Sequence, residues 1–224
     1  MTEPTALSID VDAGHTVSAL LSAPEGARVA FVFAHGAGAG MRHKFMEAVA
    51  AELAAGQVAT LRYQFPSMGA GSRRPDGPKL AHATVRAAVA EAARLLPGLP
   101  IVAGGKSFGG RMTSQAQALS PLPNVTGLAF FGFPLHPAGK PSTERAAHLR
   151  NISIAMLFLQ GSRDDLARLD LLEPVVIGLG ALATLRVFAD ADHSFHLPAK
   201  SGRRDADVRV EMLDAFAAWA MGLG

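Results

Sequence analysis

The residues whose types and spacing could do chemistry are a serine set between glycines, an aspartate pair and a late histidine. Ser107 stands in Gly105-Lys106-Ser107-Phe108-Gly109, a G-x-S-x-G pattern. A serine so placed can occupy the apex of a sharp strand-to-helix turn, where side chains at the two glycine positions would collide. Residues 100–103 before it are apolar, and residues 108–119 after it have helical spacing. The N-terminus of that helix would favour negative charge developing beside Ser107. The chemistry is nucleophilic: a hydroxyl attacks a carbonyl, with a histidine as base and a carboxylate to orient it.

The acid and the base should follow later strands, in the chain order serine, acid, histidine. Gln160-Gly-Ser-Arg-Asp-Asp165 follows the apolar run 152–159 and puts Asp164 or Asp165 at a strand end. We take Asp164 as the acid, with Asp165 as the alternative and a helix N-cap as the competing role for either. Ala189-Asp-Ala-Asp-His-Ser-Phe-His196 follows residues 185–188 and puts His193 in the next such loop, with His196 as the alternative base. Asp190 and Asp192 share that loop and read as turn residues. Two backbone amides must face the developing oxyanion. The expected pair is Phe108, directly after the serine, and Ala37, in the glycine-rich His35-Gly-Ala-Gly-Ala-Gly40. His15, His43, His82 and His148 fall in turns or on helices and need no chemical role, whereas His136, in Pro134-Leu-His-Pro137, follows a strand and is a candidate for lining the pocket.

Competing motifs fit less well. Gly105-Lys106-Ser107 would end a phosphate-binding P-loop only with a glycine five positions earlier, and Pro100 stands there. Gly36, Gly38 and Gly40 give G-x-G-x-G, not the dinucleotide pattern G-x-G-x-x-G, and no acidic residue ends the next strand. His193-x-x-His196 alone makes a poor metal site, and no HExxH is present, so we expect neither metal nor cofactor. Cysteine is absent, which excludes disulfides and suits a reducing, cytoplasmic setting. The formal net charge of the 224 residues is +2, with no basic run interleaved with aromatics, so no nucleic-acid partner is expected. Residues 1–14 lack the pattern of a signal peptide, and the apolar runs fall short of the ~20 residues a membrane helix needs.

Strand-like and helix-like segments alternate along most of the chain. Residues 6–11 and 17–22 read as opening strands around a turn at Asp12-Ala13-Gly14, and further strands are predicted at 28–34, 58–63, 100–103, 125–131, 152–159 and 185–188. Helices are predicted over 45–55, 80–96, 108–119, 166–179 (interrupted by Pro174) and 208–221, with 64–78 as a loop. Strands separated by helices imply one domain over 1–224: a mostly parallel sheet of about eight strands, covered on both faces, with its site at the C-terminal strand ends.

With these motifs in place, the chain resembles small α/β-hydrolases related to dienelactone hydrolases. More narrowly, it resembles a branch shared by bacterial hydrolases and a scaffold subunit of a eukaryotic chromatin-acetylating complex. The resembling segments are Ala34-His-Gly-Ala-Gly38, Arg62-Tyr-Gln-Phe-Pro66, Arg73-Arg-Pro-Asp76, Gly104-Gly-Lys-Ser-Phe-Gly-Gly-Arg111, Gly132-Phe-Pro-Leu-His-Pro-Ala-Gly-Lys-Pro141, Leu159-Gln-Gly-Ser-Arg-Asp164 and Ala191-Asp-His-Ser-Phe195. The resemblance implies an α/β-hydrolase fold and the triad Ser107, Asp164 and His193. Serine at 107 departs from the cysteine of dienelactone hydrolase itself, so that enzyme's substrate does not carry over. The expected activity is hydrolysis of a small-molecule carboxylic ester. The rivals are a non-catalytic scaffold of the same fold and a thioesterase or acyltransferase using the same triad. Residues 132–151, where many such folds insert a helical lid, are short and rich in proline and glycine, so no large lid is expected. Arg73 and Arg74, in the 64–78 loop, are candidates for meeting an anionic group on the substrate.

Overall fold

The computed structural model describes residues 3–72 and 74–223. The alternating pattern Leu7, Ile9 and Val11 folds as β1 (Thr5–Asp12), paired antiparallel with β2 (His15–Ser22) around the expected turn. The mainly apolar runs then become the interior of the sheet: β3 (Val29–Ala34), β4 (Val58–Tyr63), β5 (Ile101–Lys106), β6 (Val125–Phe131) and β7 (Ala155–Gly161), followed by β8 (Ala183–Phe188). The strand order is β1-β2-β4-β3-β5-β6-β7-β8, with the β1–β2 and β2–β4 pairs antiparallel and the remaining pairs parallel.

Continuous hydrophobicity is needed because both faces are covered. Ala30, Val32 and Ala34 of β3 join the core beneath three helices, α3 (Pro78–Leu95), α4 (Phe108–Leu119) and α5 (Leu169–Gly178). Val29, Phe31 and Phe33 point the other way, toward α1 (Lys44–Ala55) and α6 (Asp205–Met221). On that side Phe31 lies 4.8 Å from Phe33 and 4.7 Å from Phe216, centroid to centroid. Burying each such ring contributes about 1.5–3 kcal/mol.

Several boundaries differ from the sequence expectation, each for a local reason. The strand predicted at 100–103 continues to Lys106, because Gly104 and Gly105 pair with β3 and β6. β7 starts at Ala155 and reaches Gly161, which shifts it toward the acid loop. The loop 64–78 contains one short helical turn, α2 (Pro66–Gly69), whose Ser67 N–H donates to the Asp76 carboxylate at 3.0 and 3.1 Å. The helix predicted from 166 begins at Leu169 instead, since the Leu166 N–H is taken by the Asp164 side chain. Pro174 is accommodated inside it. Between β6 and β7 there is one 3-10 stretch (Glu144–Asn151) and no large lid.

The turn from β5 into α4 is the strained point of the fold. Ser107 has φ 50° and ψ −115°, a left-handed conformation that few non-glycine residues adopt. Its neighbours explain how it is held. A Cβ on Gly105 would stand 2.3 Å from the Ala34 carbonyl oxygen, and one on Gly109 would stand 2.6 Å from both the Ala34 Cβ and the His35 carbonyl oxygen. Both glycines therefore let the elbow press against the end of β3, backbone to backbone. Gly105→Ala should accordingly push β3 and β5 apart and destabilise the fold by about 1–3 kcal/mol. A urea titration should show a lowered midpoint with an unchanged slope, and an unchanged midpoint would contradict this packing account.

Candidate active site

Ser107 is the N-cap of α4, yet its side chain makes no capping bond. Its Oγ is turned instead toward the loop after β8, where it lies 2.8 Å from Nε2 of His193. On the other side of the ring, Nδ1 lies 2.7 Å from Oδ2 of Asp164. With Nδ1–H donated to a carboxylate, Nε2 is left to accept from the serine hydroxyl, the tautomer a general base requires. The Asp164 side chain is fully buried, whereas that of His193 is 23% exposed, so the row runs from the interior to the surface.

Burying a carboxylate is costly unless its lone pairs are occupied. Asp164 Oδ1 accepts the Leu166 N–H at 2.8 Å, and Gln160 Nε2 donates to Oδ2. The carbonyl of the Gln160 amide accepts the Phe133 N–H at 3.0 Å, which ties the end of β6 to the acid. The acid and base loops are docked on one another by Arg163 N–H to Ala191 O at 2.9 Å and Ser162 N–H to Phe188 O at 3.0 Å. Asp192 then shapes the base loop, its Oδ1 accepting from Ser194 N at 2.7 Å and His196 N at 2.9 Å.

The structure thus brings Ser107, His193 and Asp164 together and leaves their alternatives apart. Asp165 is exposed, and Asp190 hydrogen-bonds through its backbone to Ser162. His196 pairs at the surface with Asp205. His136 is buried, with Nδ1 donating to Pro137 O at 2.9 Å and Nε2 accepting from Arg168 N at 3.1 Å, so both ring nitrogens are committed to main chain. It does not line the cavity beside Ser107, and neither does Arg74, which is exposed. Arg73 lies outside the described residues.

Phe108 follows Ser107 directly, and Ala37 lines the same cavity as Ser107. Phe108 is the first residue of α4, where an N–H has no intrahelical acceptor. The Ala37 N–H has no acceptor among the described residues either. Its loop is fixed by His35, a buried residue to which the sequence pattern assigns no role of its own. His35 Nε2 accepts the Phe65 N–H at 3.0 Å, so Nδ1 carries the proton and donates to Gly36 O at 2.8 Å. That is a neutral imidazole, and burial lowers its pKa accordingly. Its only sequence signal is a histidine closing an apolar strand before a glycine run. Gln160 gave no such signal, since its role depends on a loop from β6.

A cavity of about 380 Å³ opens beside Ser107 and His193, walled by Ala37, Ala39, His43, Phe45, Met46 and Leu166. Ala37 and Ala39 come from the β3 loop, and Phe45 and Met46 from the start of α1. The arrangement can pass a proton from Ser107 to His193. No helix among the described residues is long and apolar enough to cross a membrane.

Comparison with known proteins agrees with this architecture. A lidless α/β serine hydrolase from Xanthomonas campestris superposes with a TM-score of 0.76 at 20% identity, covering 98% of this chain and 96% of that one. An α/β serine hydrolase homologue from Coxiella burnetii gives 0.77 at 19% identity, over 96% and 98% of the two chains. A dienelactone hydrolase from Anabaena variabilis gives 0.73 at 21% identity, over 99% and 97%. At these identities the likeness is one of fold. No curated protein matches the sequence significantly. The family model described as the alpha/beta hydrolase domain, however, matches residues 27–221, most of the chain, and the protein belongs to that family.

Proposed function

We propose that this protein is a serine hydrolase that cleaves small, soluble carboxylic esters through an acyl-enzyme. The observation that supports it most is the unbroken hydrogen-bonded row from buried Asp164 through His193 to Ser107, at the mouth of a cavity. In the first half-reaction Ser107 Oγ attacks the ester carbonyl while its proton moves to His193 Nε2. Asp164 keeps the ring oriented and stabilises the imidazolium, and the N–H groups of Ala37 and Phe108 receive the oxyanion. Collapse expels the alcohol, which takes the proton from His193. Water then attacks the acyl-serine with His193 again as base, releasing the acid and restoring Ser107.

The cavity bears on substrate size. Its volume, about 380 Å³, lies near the small end for ligand pockets, and its walls are mainly apolar. With no large lid over it, nothing has to be displaced by a lipid surface. Short acyl chains on soluble alcohols fit these walls best.

Ser107→Ala should remove activity on a short-chain aryl ester, lowering kcat by about 10⁶-fold while the protein stays folded. Fluorophosphonate should label wild type and not this variant. Near-normal turnover by Ser107→Ala, or a wild type inert to the probe, would overturn the assignment, the latter favouring a scaffold. His193→Ala should be nearly inactive, and His196→Ala should keep most activity, because His196 pairs at the surface with Asp205; the reverse result would move the base to His196. Rates on emulsified long-chain triglyceride should show no jump above the solubility limit, and such a jump would refute the open-site reading.

A further inference from the structure

Lys106 is the residue between the elbow glycine and the nucleophile, and its ammonium has an unusual post. Half-buried on the wall of the cavity beside Ser107, it turns its ammonium toward main chain and not outward as lysines ordinarily do. Its stem passes under the β3 loop, where a Cβ on Gly36 would lie 3.6 Å from Lys106 Cγ. Its Nζ then donates to the main-chain carbonyl of His193 and sits 5.3 Å from the centroid of the Phe195 ring. Gly132, at the end of β6, leaves the room: a Cβ there would stand 3.0 Å from Nζ and 3.4 Å from the His193 ring.

Two consecutive residues therefore grip His193 at two points, Ser107 at the ring and Lys106 at the carbonyl. The loop that carries His193 has no regular secondary structure, and its internal bonds through Asp192 shape it without fastening it to the elbow. A carbonyl fixed relative to β5 removes freedom from the backbone just where the ring must meet both Ser107 and Asp164. We propose that Lys106 is a positioning residue for His193, tying the base loop to the nucleophile strand so that the imidazole stays in line. The inference rests on the serine-hydrolase reading above.

The grip should depend on the charge of Lys106. Burial lowers its pKa from 10.5 to about 8, although the charges of Asp164 and Asp192 act in the opposite direction. The charged groups acting on it are these two carboxylates, and the titratable side chains sharing its cavity are His193 and, from the start of α1, His43. From the β3 loop the contact is Gly36, while the His35 ring is turned to Phe65. A charge-assisted hydrogen bond is about twice as strong as a neutral one, so the tie should loosen as the ammonium deprotonates.

The test compares kcat/KM against pH on a short-chain aryl ester for wild type, Lys106→Met and Lys106→Gln. Wild-type activity should fall as pH rises through about 8. Lys106→Met should lower kcat by about tenfold or more, with KM little changed, and should lose this alkaline limb. Lys106→Gln, a neutral donor, should recover part of the rate without restoring the limb. Stability should move the other way. Between about pH 8 and 10.5 the folded wild type holds fewer protons at this site than the unfolded chain. Its Tm should therefore rise with pH relative to that of Lys106→Met. A Lys106→Met variant with wild-type rate, or one that is slower but keeps the alkaline limb, would overturn the positioning role. Fluorophosphonate labelling of wild type and its absence in Ser107→Ala separate the two readings: with labelling intact, such a result refutes Lys106 alone, and without labelling both readings fall.

Discussion

Ala34 ends β3 with its carbonyl and Cβ pressed against the two glycines that bracket Ser107, and the site is assembled around that contact. The approach permits the positive φ of Ser107, because α4 must leave β5 at a sharp angle while β3 blocks the flank. It also sets the Gly36 backbone beside the nucleophile, a Cβ there standing 3.8 Å from that of Ser107. A serine that capped its own helix would lose Oγ to a backbone amide. The strained backbone at the elbow directs it across to His193 instead.

From the serine the polar groups continue inward as one chain of contacts. Ser107 meets His193, His193 meets Asp164, and Gln160 links Asp164 to the backbone of Phe133. In a low-dielectric interior such a network gains when every member is satisfied and loses steeply when one is not. Gln160 is well suited to the inner end. Its amide donates to the carboxylate and accepts from a main-chain N–H at the same time, which neither a second ionised carboxylate nor an apolar residue can do.

The parts of this arrangement legible in the sequence are those tied to strand ends. Ser107 was marked by its flanking glycines, and the aspartate pair and His193 by falling just after apolar runs. Spacing alone does not separate Asp164 from Asp165, because adjacent residues differ only in where the turn points them; in the structure Asp164 is inside and Asp165 outside. β5 was read as too short because Gly104 and Gly105 look like loop residues. They are strand positions at which neighbouring backbones come too close for a side chain. His136 looked available because it follows β6, but its partners, Pro137 O and Arg168 N, are set by the path of two loops. Lys106 reads in sequence as the variable position of a motif. Its contact with the His193 carbonyl spans 87 positions of the chain and has no local signature.

The same contacts decide which side of the site can adapt to a substrate. The β6–β7 connection, where a lid would be inserted, is pinned: His136 fastens it to the acid loop through Arg168 N and Leu166 O, and Gln160 holds its start at Phe133. Movement there would pull on Asp164 and hence on His193. On the opposite wall, at the start of α1, Phe45 is coupled as well, since its ring stacks on Phe195 of the His193 loop with centroids 6.1 Å apart, whereas His43 is exposed and bonds only to the Phe45 N–H of its own helix. Changes of size or polarity at His43 alter the cavity while leaving the contacts of the His193 loop in place. The adaptable side of the cavity is therefore His43, and the β6–β7 side is constrained to hold Asp164.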